Sequence, residues 1–319
     1  MNEQLIRISY SKVVNVLIFI FPIVIITLQV AGDLVLLILA MMGIYVAISQ
    51  KLSPFIIKDI KVFSYLAIGY FSAVCLSVLF SGQAKELAHY IPRDFAFLFA
   101  PFIALALYKA EININFLILG AKVALLVIGA IVINQLLSGF RLEDRPSGVM
   151  NAGVLGNLVV SIFFTILVFF QHESFKHKIF TFLSLLSGLF VIVAAGTRGA
   201  WLSFLILSVA YFYFYCKQKT KFRSKLIIII VLIIATVVLA VSFNQPLKDK
   251  VYGAKIEISS WLVPGEHPRS VGVRLGIYKK AADKIKEVPF FGHGYRTSNI
   301  VLFQNESSPM GKEIVGYNH

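Results

Sequence analysis

Arginines set beside apolar surface are where this sequence can do chemistry. Arg198 stands in Gly196-Thr197-Arg198-Gly199-Ala200-Trp201-Leu202, pinned between two apolar runs. A guanidinium at the end of a membrane span is costly to desolvate and invites an anionic partner. Its planar fork matches phosphate oxygens two at a time. The plainer reading, an anchor snorkelling to lipid headgroups, is equally open on pattern alone. Arg274 comes one turn before Tyr278, beside an apolar stripe; a solvated helix charge is the simpler reading there. Arg141 and Arg145 share the segment Arg141-Leu142-Glu143-Asp144-Arg145-Pro146-Ser147-Gly148, whose two acidic residues offer local neutralisation, the favoured bland alternative. Arg93, beside Asp94, carries the same ambiguity.

Other chemistries find no footing. The chain has no glycine-rich loop ending in Lys-Ser/Thr for nucleotide phosphates, and no Gly-x-Ser-x-Gly elbow. No Asp-x-Asp pair on the outer face and no His/Cys cluster has metal-ligand spacing, so neither metal nor cofactor is expected. His89, His172, His177, His267 and His293 read as loop or turn residues, and His319, the last residue, means nothing by itself. Cys75 and Cys216 both fall in apolar spans and provide no disulfide framework.

The elements that must position these groups are membrane helices. Of 319 residues, 58% are hydrophobic and 14% charged, with a mean hydropathy of +0.82. A soluble domain of this size needs more charge to cover its surface. The apolar residues run uninterrupted, and in lipid every backbone amide must be satisfied within its own segment, so the runs read as spanning helices. Nine spans are expected: Val13–Val30, Leu34–Ser49, Val62–Phe80, Phe95–Tyr108, Phe116–Leu137, Val154–Phe170, Ile179–Ala195, Trp201–Cys216 and Leu226–Phe243. The fourth is short and holds Pro101, and the seventh and eighth are joined by only Gly196–Ala200. Lys122 is left inside the fifth, near enough its start to snorkel inward. The first run lacks a cleavage signature and is a retained helix.

The net charge of +14 is not a nucleic-acid footprint, because it is sorted by side of the membrane. With the N-terminus inside, thirteen basic residues fall on inner loops and five (Lys85, Arg93, Arg141, Arg145, Arg198) on short outer ones. This is a positive-inside bias. It makes residues 1–243 the bundle and places 244–319 outside, with eleven basic and seven acidic residues and no run long enough to span. Within that stretch a helix is predicted over Ser270–Glu287, with Ser270 as N-cap and Pro289 as stop. Leu275, Tyr278, Ala282 and Ile285 form its apolar stripe, widened by Val273, Ile277 and Ala281, leaving Lys279, Lys280, Asp283 and Lys286 for water. Such a helix lies against the bundle mouth or on the lipid surface.

The Gly196–Leu202 segment opening a span is similar to a motif of the O-antigen ligase and polymerase superfamily. So is the stretch from Arg274-Leu275-Gly276-Ile277-Tyr278 through Glu287-Val288-Pro289-Phe290-Phe291-Gly292-His293-Gly294-Tyr295. Tyr317-Asn318-His319 resembles the start of that family's outer-loop histidine motif, and Arg145-Pro146-Ser147-Gly148 with Asn151 resembles a recurring loop element. The resemblance covers the second half of the chain by motif and the first half by hydropathy only. It implies an all-α, GT-C-like glycosyltransferase of the bacterial inner membrane, N-terminus cytoplasmic and working face periplasmic. The donor implied is a polyprenyl-diphosphate-linked glycan, and the acceptor is lipid A–core in a ligase or another lipid-linked glycan in a polymerase.

Carried over by motif, Arg198 and Arg274 would hold the donor diphosphate, with Arg145 and Arg141 in the same substrate-binding set. His319 would be the general base on the acceptor hydroxyl. That chemistry is coherent: arginines can stabilise a leaving diphosphate without a metal, and an imidazole titrates near the working pH. Family members carry further spans beyond the outer loop, so the chain is expected to be an incomplete sequence. A transporter or flippase is the alternative class; it predicts broken helices and charges at mid-membrane.

Overall fold

The computed structural model describes residues 2–80, 94–141, 144–170, 175–218 and 270–289. The described elements are all helices: α1 (Asn2–Thr27), α2 (Gln29–Ser49), α3 (Lys58–Phe80), α4 (Phe95–Ala110), α5 (Ile114–Leu137), α6 (Ala152–Phe169), α7 (Phe175–Ala195), α8 (Arg198–Gln218) and α9 (Ser270–Glu287). Six segments among the described residues are long and apolar enough to cross a membrane: Ser9–Thr27, Val30–Ser49, Lys58–Leu79, Ile114–Leu137, Ala152–Phe169 and His177–Ala195. The fourth and eighth expected spans are shorter apolar helices, and the ninth, Leu226–Phe243, lies outside the described residues. Many large apolar side chains point outward, Val30 at 83% and Phe182 at 61% exposure. In water such a surface would drive aggregation, whereas a bilayer solvates it.

The chain divides into two compact units, Met1–Ile68 with Ala96–Leu226, and Gly69–Phe95 with Ile227–His319. In the first unit α5 packs between α1 and α7, with α2 on α1 and with α6 on α7 and α8. Lipid tails give no hydrophobic reason for helices to associate, so close packing must do it. Small residues permit that. A Cβ on Gly120 of α5 would overlap the backbone carbonyl of Phe19 in α1. The Ser187 hydroxyl of α7 donates to the Leu125 carbonyl of α5 at 2.7 Å. Several other hydroxyls in the spans bond one turn back within their own helix, as Ser184 does to Phe180 at 2.9 Å and Thr165 to Ser161 at 2.8 Å. No polar group on these side chains is thereby left to lipid. Lys122 is buried on α5, a helix that α1 and α7 cover from two sides.

Helix directions follow from the corners. Ser11 Oγ donates to the Ala110 carbonyl at 2.8 Å, and Asn15 Oδ1 accepts from the Asn113 amide at 3.0 Å. The start of α1 therefore holds the α4–α5 corner, and α1 and α5 run parallel. Short as it is, α4 returns the chain to the α1 N-terminal end; Val14, Ile18, Val35, Leu39 and Ala110 form the core there. The α1–α2 reversal falls at Leu28, which leaves the helical region (φ −143°, ψ 89°), several residues before the expected break ahead of Leu34.

In the second unit, the Tyr70 hydroxyl donates to Asp94 Oδ1 at 3.5 Å and the Phe71 ring stacks on Phe95 at 5.9 Å. Helix α9 has the bounds that its cap and proline predict. Its orientation differs from the simple expectation. Tyr278, Ala282 and Ile285 are exposed, while Ile277, Lys280, Ala281 and Lys284 are half-buried. Both lysines can lay their aliphatic stems on apolar neighbours, so the helix turns a mixed face inward.

A candidate anion site at the end of the bundle

Twenty-four residues carry α5 from the α1 corner to the opposite end, roughly 36 Å away at 1.5 Å per residue. There it ends in a tightening turn, with the amides of Ser138, Gly139 and Phe140 bonded to carbonyls of Asn134, Leu136 and Gln135. The connection to α6 is held by a side-chain amide. Gln135 Oε1 accepts from the Gly148 amide at 2.9 Å, and Gln135 Nε2 donates to the Gly148 carbonyl at 3.3 Å. Ser147 Oγ closes the segment onto the Met150 carbonyl at 2.7 Å. Asn151 then caps α6, accepting from the Gly153 amide at 2.8 Å.

Two arginines ride on this loop. Arg141 is exposed, and its backbone amide donates to Asp144 Oδ2 at 2.8 Å. Asp144 thus serves the loop backbone, and among the described residues neither Arg141 nor Arg145 has an ion pair with it. Arg145 is exposed and holds a left-handed backbone, φ 52°, immediately before the buried Pro146. Left-handed geometry costs a non-glycine residue about 1–2 kcal/mol, and strain of this kind clusters at functional sites. Beside the loop, Val127, Ile131, Asn134, Gln135 and Val149 line a shallow, largely apolar groove along α5.

The turn between α7 and α8 lies at the same end. Gly196 reverses the chain at φ 59°, a backbone that glycine adopts without strain. The Trp201 amide bonds the Thr197 carbonyl at 3.2 Å, so α8 begins at Arg198 and not at Trp201, and only Gly196 and Thr197 connect the helices. The Trp201 indole N–H donates to the Ile192 carbonyl at 3.2 Å, pinning α8 back on α7. A Cβ on Gly156 of α6 would stand 2.7 Å from Thr197 Oγ1 and 2.8 Å from the Ala200 Cβ. From that contact α6 and α8 run parallel. Phe204 meets Phe163 and Phe164 at 5.4 and 5.5 Å, and the Tyr211 hydroxyl donates to the Leu167 carbonyl at 3.3 Å.

Two parallel helices thus present their N-termini together, one preceded by the Arg145 loop and the other opening on Arg198. The first amides of each helix lack intrahelical partners, and both macrodipoles put positive charge at this end. Thr197, at the N-cap position of α8, has a buried hydroxyl oxygen with no hydrogen-bond partner among the described residues. An anion is the chemistry such a place accepts.

Of the two other expected site residues, only Arg274 falls within the described residues, in the second unit. Arg274 is placed on α9, and His319 lies outside the described residues, as do Arg93 and Glu143. Sequence reading passed over Gln135 and Thr197. A polar residue inside an apolar run, and a threonine one position before a helix start, were the signals that pointed to them.

These features define a class: a polytopic helical membrane protein with a candidate anion site at one end of its first unit. Residues 180–319 match the family model described as O-Antigen ligase, so this part of the chain is similar to that family. The matched region holds Arg198, Arg274 and His319; Arg141 and Arg145 precede it. The chain is also similar to an uncharacterized protein of Haemophilus influenzae, 24% identical over 145 residues. That alignment covers 44% of this chain and 36% of the relative, so the chain spans little more than a third of that protein's length.

Proposed function

We propose that the protein transfers a glycan from a polyprenyl-diphosphate carrier to lipid A–core, at the periplasmic face of the inner membrane. In this reading nine spans run from a cytoplasmic N-terminus, residues 1–243 form the bundle and residues 244–319 lie in the periplasm. The observation that carries it is the meeting of the first turns of α6 with the α7–α8 turn at Gly156, Thr197 and Ala200. The Arg145 loop and the start of α8 share one end because of that contact.

The chemistry is a displacement at the anomeric carbon. An acceptor hydroxyl oxygen attacks, the bond from that carbon to the diphosphate oxygen breaks, and the electron pair leaves with the diphosphate. Arg198 and Arg274, with Arg145 and Arg141, take up the growing negative charge, and the helix N-termini add their dipoles. His319 removes the acceptor proton. The apolar groove beside Gly148 and Val149 suits the first isoprene units of the carrier. Both substrates are lipid-anchored, so a site near the bilayer surface collects them without long reach.

The test is the lipopolysaccharide profile of a deletion strain complemented with full-length protein carrying Arg198→Ala, Arg274→Ala or His319→Ala. Loss of polymer from core, with lipid-linked intermediate accumulating, is the expected result. A profile capped at one repeat would assign the polymerase reaction instead. Wild-type transfer by all three variants at normal protein levels would end the enzymatic reading.

A further inference from the structure

We infer that α9 docks on an anionic lipid surface through the stripe Tyr278, Ala282 and Ile285. This inference does not depend on the transferase reaction. Tyr278 is 66% and Ile285 61% exposed, values far above those of a packed core. At about 100° per residue, the three side chains fall within an arc of roughly 60°. The helix is already committed on another side, where Ile277 and Ala281 are half-buried. Among the described residues the stripe is therefore a second apolar face, exposed and without a partner.

The order of charge around the helix names the occupant. Next to the stripe come the exposed Lys286 and Lys279, about 80–100° from Tyr278 by helical position. Asp283 and Glu287 lie farther round, about 140–180° away, and the half-buried Lys284 and Lys280 lie about 120° and 160° away on the other side. Lys286 Nζ reaches Asp283 Oδ1 at 3.0 Å, an exposed pair that does not remove the lysine from the border. Five basic against two acidic residues leave the helix net positive over Ser270–Glu287. An exposed apolar stripe bordered by exposed lysines, on a helix of net positive charge, suits the boundary between acyl chains and anionic lipid phosphates.

The test uses the whole chain with Cys75→Ser and Cys216→Ser, and single cysteines introduced as Ile285→Cys, Ala282→Cys or Asp283→Cys. Each is labelled with bimane in nanodiscs of phosphatidylcholine and phosphatidylglycerol. Acyl-chain nitroxide lipids are expected to quench positions 285 and 282 at least about twofold more than 283. A water-soluble nickel quencher should give the reverse order. Adding Lys279→Glu and Lys286→Glu, or omitting phosphatidylglycerol, should reduce the lipid quenching at 285. Equal access of nickel to 285 and 283 would overturn the proposal, as would shielding of 285 from both quenchers, which means a protein segment covers the stripe. Lipid quenching indifferent to both lysines and phosphatidylglycerol would overturn its anionic part.

Discussion

Gly156 of α6 approaches Thr197 so closely that a single added carbon would stand 2.7 Å from the threonine hydroxyl oxygen. This contact brings the loop of Arg145 to the helix that Arg198 begins. The Thr197 hydroxyl oxygen is buried there with no hydrogen-bond partner among the described residues. A small residue is required there because helices in lipid are held by closeness alone.

Gly156→Leu should separate α6 from the α7–α8 turn. Overpacking of this kind costs about 1–3 kcal/mol. Melting of the detergent-purified protein should drop accordingly, and glycan transfer should fall further than stability explains. Gly156→Leu with wild-type melting and transfer would mean that the contact is dispensable.

Arg145→Gly separates strain from function. Glycine accepts φ 52° freely, so relief of the left-handed backbone should hold stability level or raise it by about 1 kcal/mol. Transfer should nevertheless decline by an order of magnitude or more if the guanidinium meets the donor, the scale set by loss of one charge-stabilising group. Loss of stability without loss of transfer would make Arg145 a structural residue.

Gln135→Leu removes both hydrogen bonds to Gly148 and strands its amide. The expected cost is about 1–3 kcal/mol. Protease sensitivity of the α5–α6 loop should rise in the same variant, and limited proteolysis with mass spectrometry reads that out. An unchanged cleavage pattern would show that the loop holds its shape without the clamp.

Sidedness can be read with reporters. Alkaline phosphatase fused after Phe243 should be active, and a fusion after Lys178 inactive, if nine spans start from a cytoplasmic N-terminus. The opposite pattern would put the arginine-bearing end in the cytoplasm and remove the proposed substrates from reach.

Much of the helical framework was legible residue by residue. Six expected spans have their counterparts because an uninterrupted apolar run of sufficient length has one way to satisfy its backbone in lipid. The bounds of α9 were legible too, since Ser270 and Pro289 act within one turn of where they stand. The start of α8 was not. Whether Arg198 is loop or helix turns on the bond from the Trp201 amide to the Thr197 carbonyl, which a hydropathy boundary does not register. Gln135 went unread for a related reason: its partner, Gly148, lies thirteen positions on and across a turn.

By itself, then, the sequence determined that this is a multi-pass helical protein whose second half resembles the O-antigen ligase family, with arginines at helix ends. Those properties depend on local hydrogen bonding, side-chain solvation and short motifs. Only the tertiary structure decided that α6 and α8 open side by side and that, among the described residues, the stripe of α9 is exposed. Which small residue meets which turn, and which face of an amphipathic helix is covered, depends on surfaces distant in the chain, and no period or motif encodes their meeting.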